Sequence, residues 1–281
     1  MNIGIHASIA GGFVNAPLEA AGLGCSTFQI FSKSPRSWEA VPLAPEAVEI
    51  FKKTVISKKM YPVVVHTSYL INLASQNAVL LERSINTFAL EIKRAEELGA
   101  DFITTHVGSC GTCNKKEALA AILAAVKRAL RLSGTGKIMI LFENSAKRDT
   151  PGGVFKDLAF LAKESGKRFG ITLDTCHAFA AGYDLRNKKA CDDCLLEVEA
   201  EAGTGRIKIV HLNDSKGDLL SGLDRHEHLG QGKLGLEGIT AIIKHPKLNE
   251  LAFILETPKE PEGADAGNIA FARAAGKRKV S

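Results

Sequence analysis

The chain has little that would place it outside the ordinary globular class. No apolar run approaches the ~20 residues needed to cross a bilayer, so an integral membrane protein is not expected. The opening MNIGIHASIAGG has neither a basic n-region nor a long apolar h-region, so it does not read as a signal peptide, and a cytoplasmic location is the expectation. There is no sequence repeat and no Pro/Gly/Ser-rich linker, so neither a solenoid nor a second domain is indicated. Aromatic residues are sparse at 6%, with one Trp and three Tyr. The charge balance is nearly even, 36 basic against 31 acidic residues. That mild excess permits a nucleic-acid or phosphate partner without arguing for one. Six cysteines in an intracellular chain suggest free thiols or metal ligands rather than a disulfide framework.

What is present is a rhythm of short aliphatic runs, each followed by a helical pattern. The runs are Asn2–His6, Thr27–Phe31, Pro62–His66, Phe102–His106, Lys137–Glu143, Gly170–Asp174, Arg206–His211 and Leu251–Glu256. They lack polar alternation, as strands covered on both faces do. Their last residues stand 25 to 45 positions apart, room for a loop and a helix. Leu81, Ile85, Phe88, Ile92 and Ala95 recur at helical spacing, as do Leu119, Ile122, Val126 and Ala129, with Gly134 placed to stop that helix. Pro45 suits the first turn of a helix carrying Val48 to Ile56. Eight such units predict a (β/α)8 barrel, an α/β fold, as a single domain over residues 1–276 with a short basic tail at 277–281. An open doubly wound sheet is the other arrangement this pattern allows.

The last residues of the third to eighth runs are His66, His106, Glu143, Asp174, His211 and Glu256, all of types that bind divalent metals. Any one alone would more often be a cap or loop contact. In a barrel, however, the C-terminal strand ends converge on one face, which holds the active site. His177 follows Asp174 in DTCH, and Asp224 and His226 form a D-x-H pair in the loop after the seventh run. These nine imidazoles and carboxylates exceed one ion's needs and suit three, with one carboxylate shared. The ligand types fit zinc, with manganese or iron left open. Such a site favours hydrolysis of phosphoesters, because bound ions activate water near neutral pH and neutralise phosphoryl oxygens. Four carboxylates against three divalent ions would leave the mouth net positive.

HTSYLINLAS at 66–75, THVGS at 105–109, FENSA at 142–146, LDTCHAFAAGYD at 173–184, VHLNDSK at 210–216, DRHEHLGQG at 224–232 and ILETP at 254–258 resemble endonuclease IV. GIHASIAGG and FSKSPRSW fit as well, and the resemblance runs from about residue 2 to at least residue 258. This family comprises zinc-dependent apurinic/apyrimidinic (AP) endonucleases of base excision repair. The resemblance implies a (β/α)8 hydrolase with three zinc ions. His66 and His106 would hold one, and Glu143 would bridge it to a second, completed by Asp174, His211 and Glu256. The third would lie on His177, Asp224 and His226. It further implies cleavage of the phosphodiester 5′ to an abasic site in double-stranded DNA, leaving a 3′-hydroxyl and a 5′-deoxyribose phosphate, with trimming of blocked 3′ ends. Glu143 and Glu256 would be the catalytic carboxylates, one bridging and one beside the nucleophile.

Arg36 and the Tyr69-Leu70 pair match the family's minor-groove wedge; without that match, they would read as an ordinary surface charge and loop packing. Lys33, Lys216 and Arg225 fall in loops of the same face and are candidate phosphate contacts. Gln231 stands where many relatives carry Glu, and Ser37 where a longer polar residue is common. Cys110-x-x-Cys113 and Cys191-x-x-Cys194 have the spacing of a structural zinc site, with free thiols or a disulfide as the other options. His6 is a candidate outer-sphere partner of the metals, His228 a support for the D-x-H loop and His245 a structural residue. A monomer acting on DNA, away from membranes, is the expectation. A sugar isomerase or epimerase on a related metal-dependent barrel is the competing enzyme class, for which His177, the D-x-H pair and the wedge would be surplus. A non-catalytic DNA-binding relative would not need the full ligand set.

Overall fold

The computed structural model describes residues 1–278. Eight of its strands close into a parallel barrel: β1 Asn2–His6, β2 Thr27–Phe31, β3 Val63–His66, β4 Phe102–Thr105, β5 Met139–Glu143, β6 Phe169–Asp174, β7 Ile207–His211 and β10 Ala252–Leu255. Between them run α1 Asn15–Gly22, α2 Pro45–Ser57, α3 Ala78–Leu98, α4 Lys115–Ser133, α5 Phe155–Ser165, α6 Thr175–Ala180, α7 Lys188–Ala202 and α8 Gly235–Lys244, with α9 Ala264–Lys277 at the end. Two short strands, β8 Asp214–Ser215 and β9 His226–Glu227, pair antiparallel in the loop after β7. The barrel closes where β1 pairs with both β10 and β2. This is the predicted (β/α)8 architecture, and the doubly wound alternative is excluded by the closure.

The strands are apolar on both faces because each has two cores to fill. Val64, Leu141, Ile209, Ala252 and Ile254 form a layer of their own, distinct from the larger cluster under the helices. Gly4 is required where β1 meets β2: a Cβ there would lie 1.9 Å from the Thr27 carbonyl oxygen.

The helix signals are read as expected. Pro45 opens α2. Asn77 caps α3 by accepting from the Leu80 amide, and Gly99 ends it in the left-handed region. Asn114 and Gly134 do the same for α4. The apolar stripe Ile85, Phe88, Ile92 and Ala95 of α3 is buried against the sheet.

Several strand starts shift by one or two residues from the sequence expectation, and three C-terminal boundaries differ. β4 ends at Thr105 and β10 at Leu255, so His106 and Glu256 each stand one residue beyond the ladder. Lys277 belongs to α9 rather than to a tail, and residues 279–281 of the expected tail lie outside the described residues. No described helix is long and apolar enough to cross a membrane.

Candidate metal centre and DNA-facing loops

Parallel register carries the strand ends to a common level. His66 lies beside Thr104, Glu143 beside Thr172, and Asp174 beside His211. Glu143, fully buried, is the hub. Its Oε2 lies 3.0 Å from His66 Nε2 and 3.3 Å from His106 Nε2, while Oε1 lies 2.8 Å from His211 Nδ1. Glu256 Oε2 approaches the same His211 nitrogen at 3.3 Å. Asp224 Oδ1 faces His177 Nε2 at 3.1 Å and His226 Nε2 at 3.6 Å.

Three ligand groups emerge: His66, His106 and Glu143; Glu143, Asp174, His211 and Glu256; and Asp174, His177 and His226. Within each group, the donor atoms lie within 4.8 Å of one another. Asp224 joins the third group through its two histidine contacts. The structure thus brings all nine residues to one mouth. A cavity of about 400 Å3 opens over them, walled by Phe31, Tyr69, His106, Asp224, Pro258 and Lys259.

The outer contacts of the imidazoles decide which nitrogen is free. His66 Nδ1 donates to the Thr67 carbonyl at 2.7 Å, His177 Nδ1 to the Asn144 carbonyl at 3.0 Å, and His226 Nδ1 to the Glu256 carbonyl at 3.0 Å. Each therefore turns Nε2 inward, the nitrogen left to bind a cation once any proton on it is displaced, as in metal-ligating histidines. The Nε2 atoms of His177 and His226 are buried and make no hydrogen bond, which fits a position beside a cation. Two asparagines, Asn144 and Asn213, hold the backbone of Asp174 and Glu256 and the Asp174 carboxylate. Asn144 accepts from the Asp174 amide at 2.8 Å, and Asn213 donates to Asp174 Oδ2 at 2.7 Å while accepting from the Glu256 amide at 2.9 Å.

Charge is shared accordingly. Burial resists ionisation of Glu143, yet His106 and His211 hold its carboxyl well below the usual range. Burial also opposes charging of His211, but Glu256 and Glu143 outweigh it and lift its pKa to about 9. His177 is likewise raised against burial by Asp174 and Asp224, and His66 against burial by Glu143. Burial alone would raise Asp224, but the His177 contact brings it down to about 2. With its pKa lifted to about 9, His211 carries a second proton at neutral pH when no cation is near, and a metal must displace it. Ion uptake by stripped protein is therefore expected to release protons, seen as acidification of a weakly buffered indicator solution. Binding with no pH change would contradict this charge state.

The loop that carries the D-x-H pair is held by Asp214. Its carboxylate accepts from the amides of Ser215, Gly230, Gly232, Leu234 and Gly235 at 2.8 to 3.4 Å. A Cβ at Gly232 would lie 2.5 Å from that carboxylate. This clamp closes the β8–β9 ribbon and delivers His226 to the mouth. Asp214 carried no sequence signal beyond its place in HLND.

Of the DNA-facing candidates, Arg36, Tyr69, Lys216 and Arg225 are exposed and Leu70 half-buried. Tyr69 rests edge-on against Phe31, ring centroids 5.2 Å apart, yet remains 66% exposed. Lys216 lies 3.9 Å from Glu227, and Arg225 donates to the Asp224 carbonyl at 2.9 Å.

Lys33 does not join them. It is buried, 3.8 Å from Glu91 of α3, and donates to the carbonyls of Ser34 and Ser37. Glu91 also accepts from the Ser68 amide at 3.1 Å and the Ser32 hydroxyl at 3.3 Å. This buried knot ties the loop carrying Arg36 to the loop carrying Tyr69. Glu91→Ala would strand a buried cation and two donors, and should destabilise the fold by about 3 kcal/mol, read as a lowered denaturation midpoint. An unchanged midpoint would contradict the knot.

The two C-x-x-C pairs are disposed differently. Cys110 and Cys113 are joined in a disulfide in the loop after β4. Cys191 and Cys194 lie on α7 rather than in a loop and are buried among core residues. Burial pushes the Cys191 thiol up to about 12 and raises Cys194 too. His245 pairs with Asp192 at 2.9 Å, away from the mouth, and His228 Nδ1 accepts from Asn268 of α9 at 3.0 Å.

A family model described as a Xylose isomerase-like TIM barrel matches residues 17–274. Among similar proteins, the Probable endonuclease 4 of Methanoculleus marisnigri is 40% identical over 274 residues, covering 96% of this chain and 97% of the relative. The chain belongs to the endonuclease IV family. Another endonuclease IV relative, from Chlorobium limicola, is 42% identical over 262 residues, covering 91% of this chain and 90% of its own. The solved endonuclease IV from Thermus thermophilus superposes with a TM-score of 0.88 at 38% identity, covering 98% of each chain. A D-tagatose 3-epimerase-like protein superposes with a TM-score of 0.72 at 18% identity, a likeness of fold alone.

Proposed function

We propose that this endonuclease IV family member hydrolyses the phosphodiester 5′ to abasic sites in duplex DNA, leaving a 3′-hydroxyl and a 5′-deoxyribose phosphate, and trims blocked 3′ ends. It acts as a monomer in base excision repair, with three divalent ions, zinc foremost. The observation that carries the reading is the convergence of eight ligand-type residues in three overlapping groups, with Asp224 against two of their histidines, at one cavity. His66, His106 and Glu143 would hold one ion, Glu143, Asp174, His211 and Glu256 a second, and His177, Asp224 and His226 a third. Such ions bring a water's pKa toward 7 and neutralise charge on phosphoryl and leaving oxygens.

The chain's own part is to fix these ligands and admit one substrate. Glu143 serves two groups at once, and Glu256 closes the wall toward Lys259. The backbone carbonyls of Thr67, Asn144 and Glu256 set three imidazoles. Tyr69 lines the cavity, and with Leu70 and Arg36 it would serve as a wedge, since an unpaired, poorly stacked nucleotide is the cheapest to displace from a duplex. Asp224 is the most exposed of the nine residues.

The test is incision of a duplex carrying a single abasic analogue, with epimerisation of a keto sugar as the control. Incision alone supports the proposal; sugar turnover without incision would sink it. Tyr69→Ala should weaken binding of the abasic duplex roughly tenfold to a hundredfold, by the ~1–3 kcal/mol that an aromatic–base contact contributes. Fluorescence anisotropy reads this, and an unchanged dissociation constant would remove Tyr69 from the interface.

A further inference from the structure

His211 differs from the other histidines at the mouth. His66, His177 and His226 each spend Nδ1–H on a backbone carbonyl and turn Nε2 inward. His211 is reversed: Nδ1 faces Glu143 Oε1 at 2.8 Å and Glu256 Oε2 at 3.3 Å, while Nε2 faces Gln29 Oε1 at 2.9 Å. Its outer partner is a side chain, and therefore the one partner among these four that a substitution can remove.

Gln29 sits on β2 in TFQIF, an amide side chain with 0% exposure in a strand otherwise of Thr, Phe and Ile. Its amide orientation follows from its neighbours. Nε2 lies 2.7 Å from Glu256 Oε1 and 3.0 Å from His6 Nδ1. Reversing the amide would set its oxygen against a carboxylate that can only accept. With Nε2 toward Glu256, Oε1 must face His211, and an oxygen there accepts only a proton carried on Nε2. In the singly protonated form that binds a cation, the His211 lone pair is thereby left on Nδ1, inside the group formed with Glu143, Asp174 and Glu256. The same amide donates to Glu256, so one buried side chain orients two members of that group.

We infer that Gln29 is a positioning residue for this ligand group: it fixes the Nε2–H tautomer of His211 and the rotamer of Glu256, and so sets the affinity for a divalent ion at that group and not at the other two. The inference rests on the metal-binding reading of the cluster. Removing an outer hydrogen-bond partner of a metal ligand typically costs about 10–100-fold in metal affinity.

The experiment uses the full chain loaded with zinc. Ions retained per chain are followed against a graded chelator for the wild type and for Gln29→Met, which fills the same buried space without a donor or acceptor. The expected result is that one ion is lost from Gln29→Met at a free-zinc level about 10–100-fold higher than in the wild type, while the remaining ions leave at wild-type levels. Nitrogen-15 spectra of the zinc-loaded wild type should show the His211 proton on Nε2 and the ligated nitrogen as Nδ1. That measurement holds even if the variant folds poorly. Identical retention curves in a folded variant, equal weakening of every ion, or a proton on His211 Nδ1 would each overturn the inference. A wild type that binds no zinc at all would instead defeat the metal reading on which it rests.

Discussion

Glu143→Gln should abolish strand incision while leaving the barrel folded. The side chain is fully buried and lies within 3.3 Å of nitrogens from His66, His106 and His211. It belongs to two of the three ligand groups at once. An amide keeps the shape but supplies one oxygen where two are needed, and carries no charge. The expected loss therefore exceeds the ~10–100-fold typical of an outer partner, and falls on turnover rather than on DNA binding, because the rim residues are untouched. Circular dichroism should match the parent, since β5 is packed by Ile140, Leu141 and Phe142 and not by Glu143. Rates within a fewfold of the parent would refute the bridging role.

The second large effect is that of removing metal. Stripping with a chelator should eliminate incision and also soften the fold. Five imidazoles and four carboxylates are gathered at one mouth, and the carboxylates lift the His211 pKa to about 9 in the absence of a cation. An ion that binds only the folded state stabilises it by RT ln(1 + [L]/Kd), about 4 kcal/mol at a thousandfold excess over Kd. Restoring zinc to stripped protein should thus raise the melting temperature in a concentration-dependent way. Because Cys110 and Cys113 are paired and Cys191 and Cys194 lie within a helix, no cysteine should contribute to the uptake. A melting temperature indifferent to zinc would contradict this linkage.

How much of this could be read from sequence depended on whether the cause was local. The barrel was legible because each strand is a short apolar run with helical spacing after it. Six of the nine candidate ligands were legible because each ends such a run, and the other three from DTCH and the D-x-H pair. His106 and Glu256 fall one residue past the ladder, since residue type marks the turn into the loop but not the last hydrogen bond. Lys33 was misplaced because what buries it is Glu91, on a helix far along the chain. The two C-x-x-C pairs look alike in sequence, yet one spans a loop and the other is one turn of α7, where residues three apart share the face turned to the core. The β8–β9 ribbon is invisible in sequence because two-residue strands have no periodicity, and Asp214 gathers their surroundings through backbone amides. Gln29 did leave a signal, a lone amide inside TFQIF, whose meaning needed the positions of His211 and Glu256.

The central claim is that three divalent ions on these nine residues make the chain an abasic-site nuclease. Its most direct test is a titration of zinc into stripped protein, with bound ions counted and incision of an abasic duplex measured on the same samples. The account predicts saturation at about three ions per chain, with full incision reached only as the last ion binds and products bearing a 3′-hydroxyl. Full incision with a single ion bound, or none with all three in place, would contradict it.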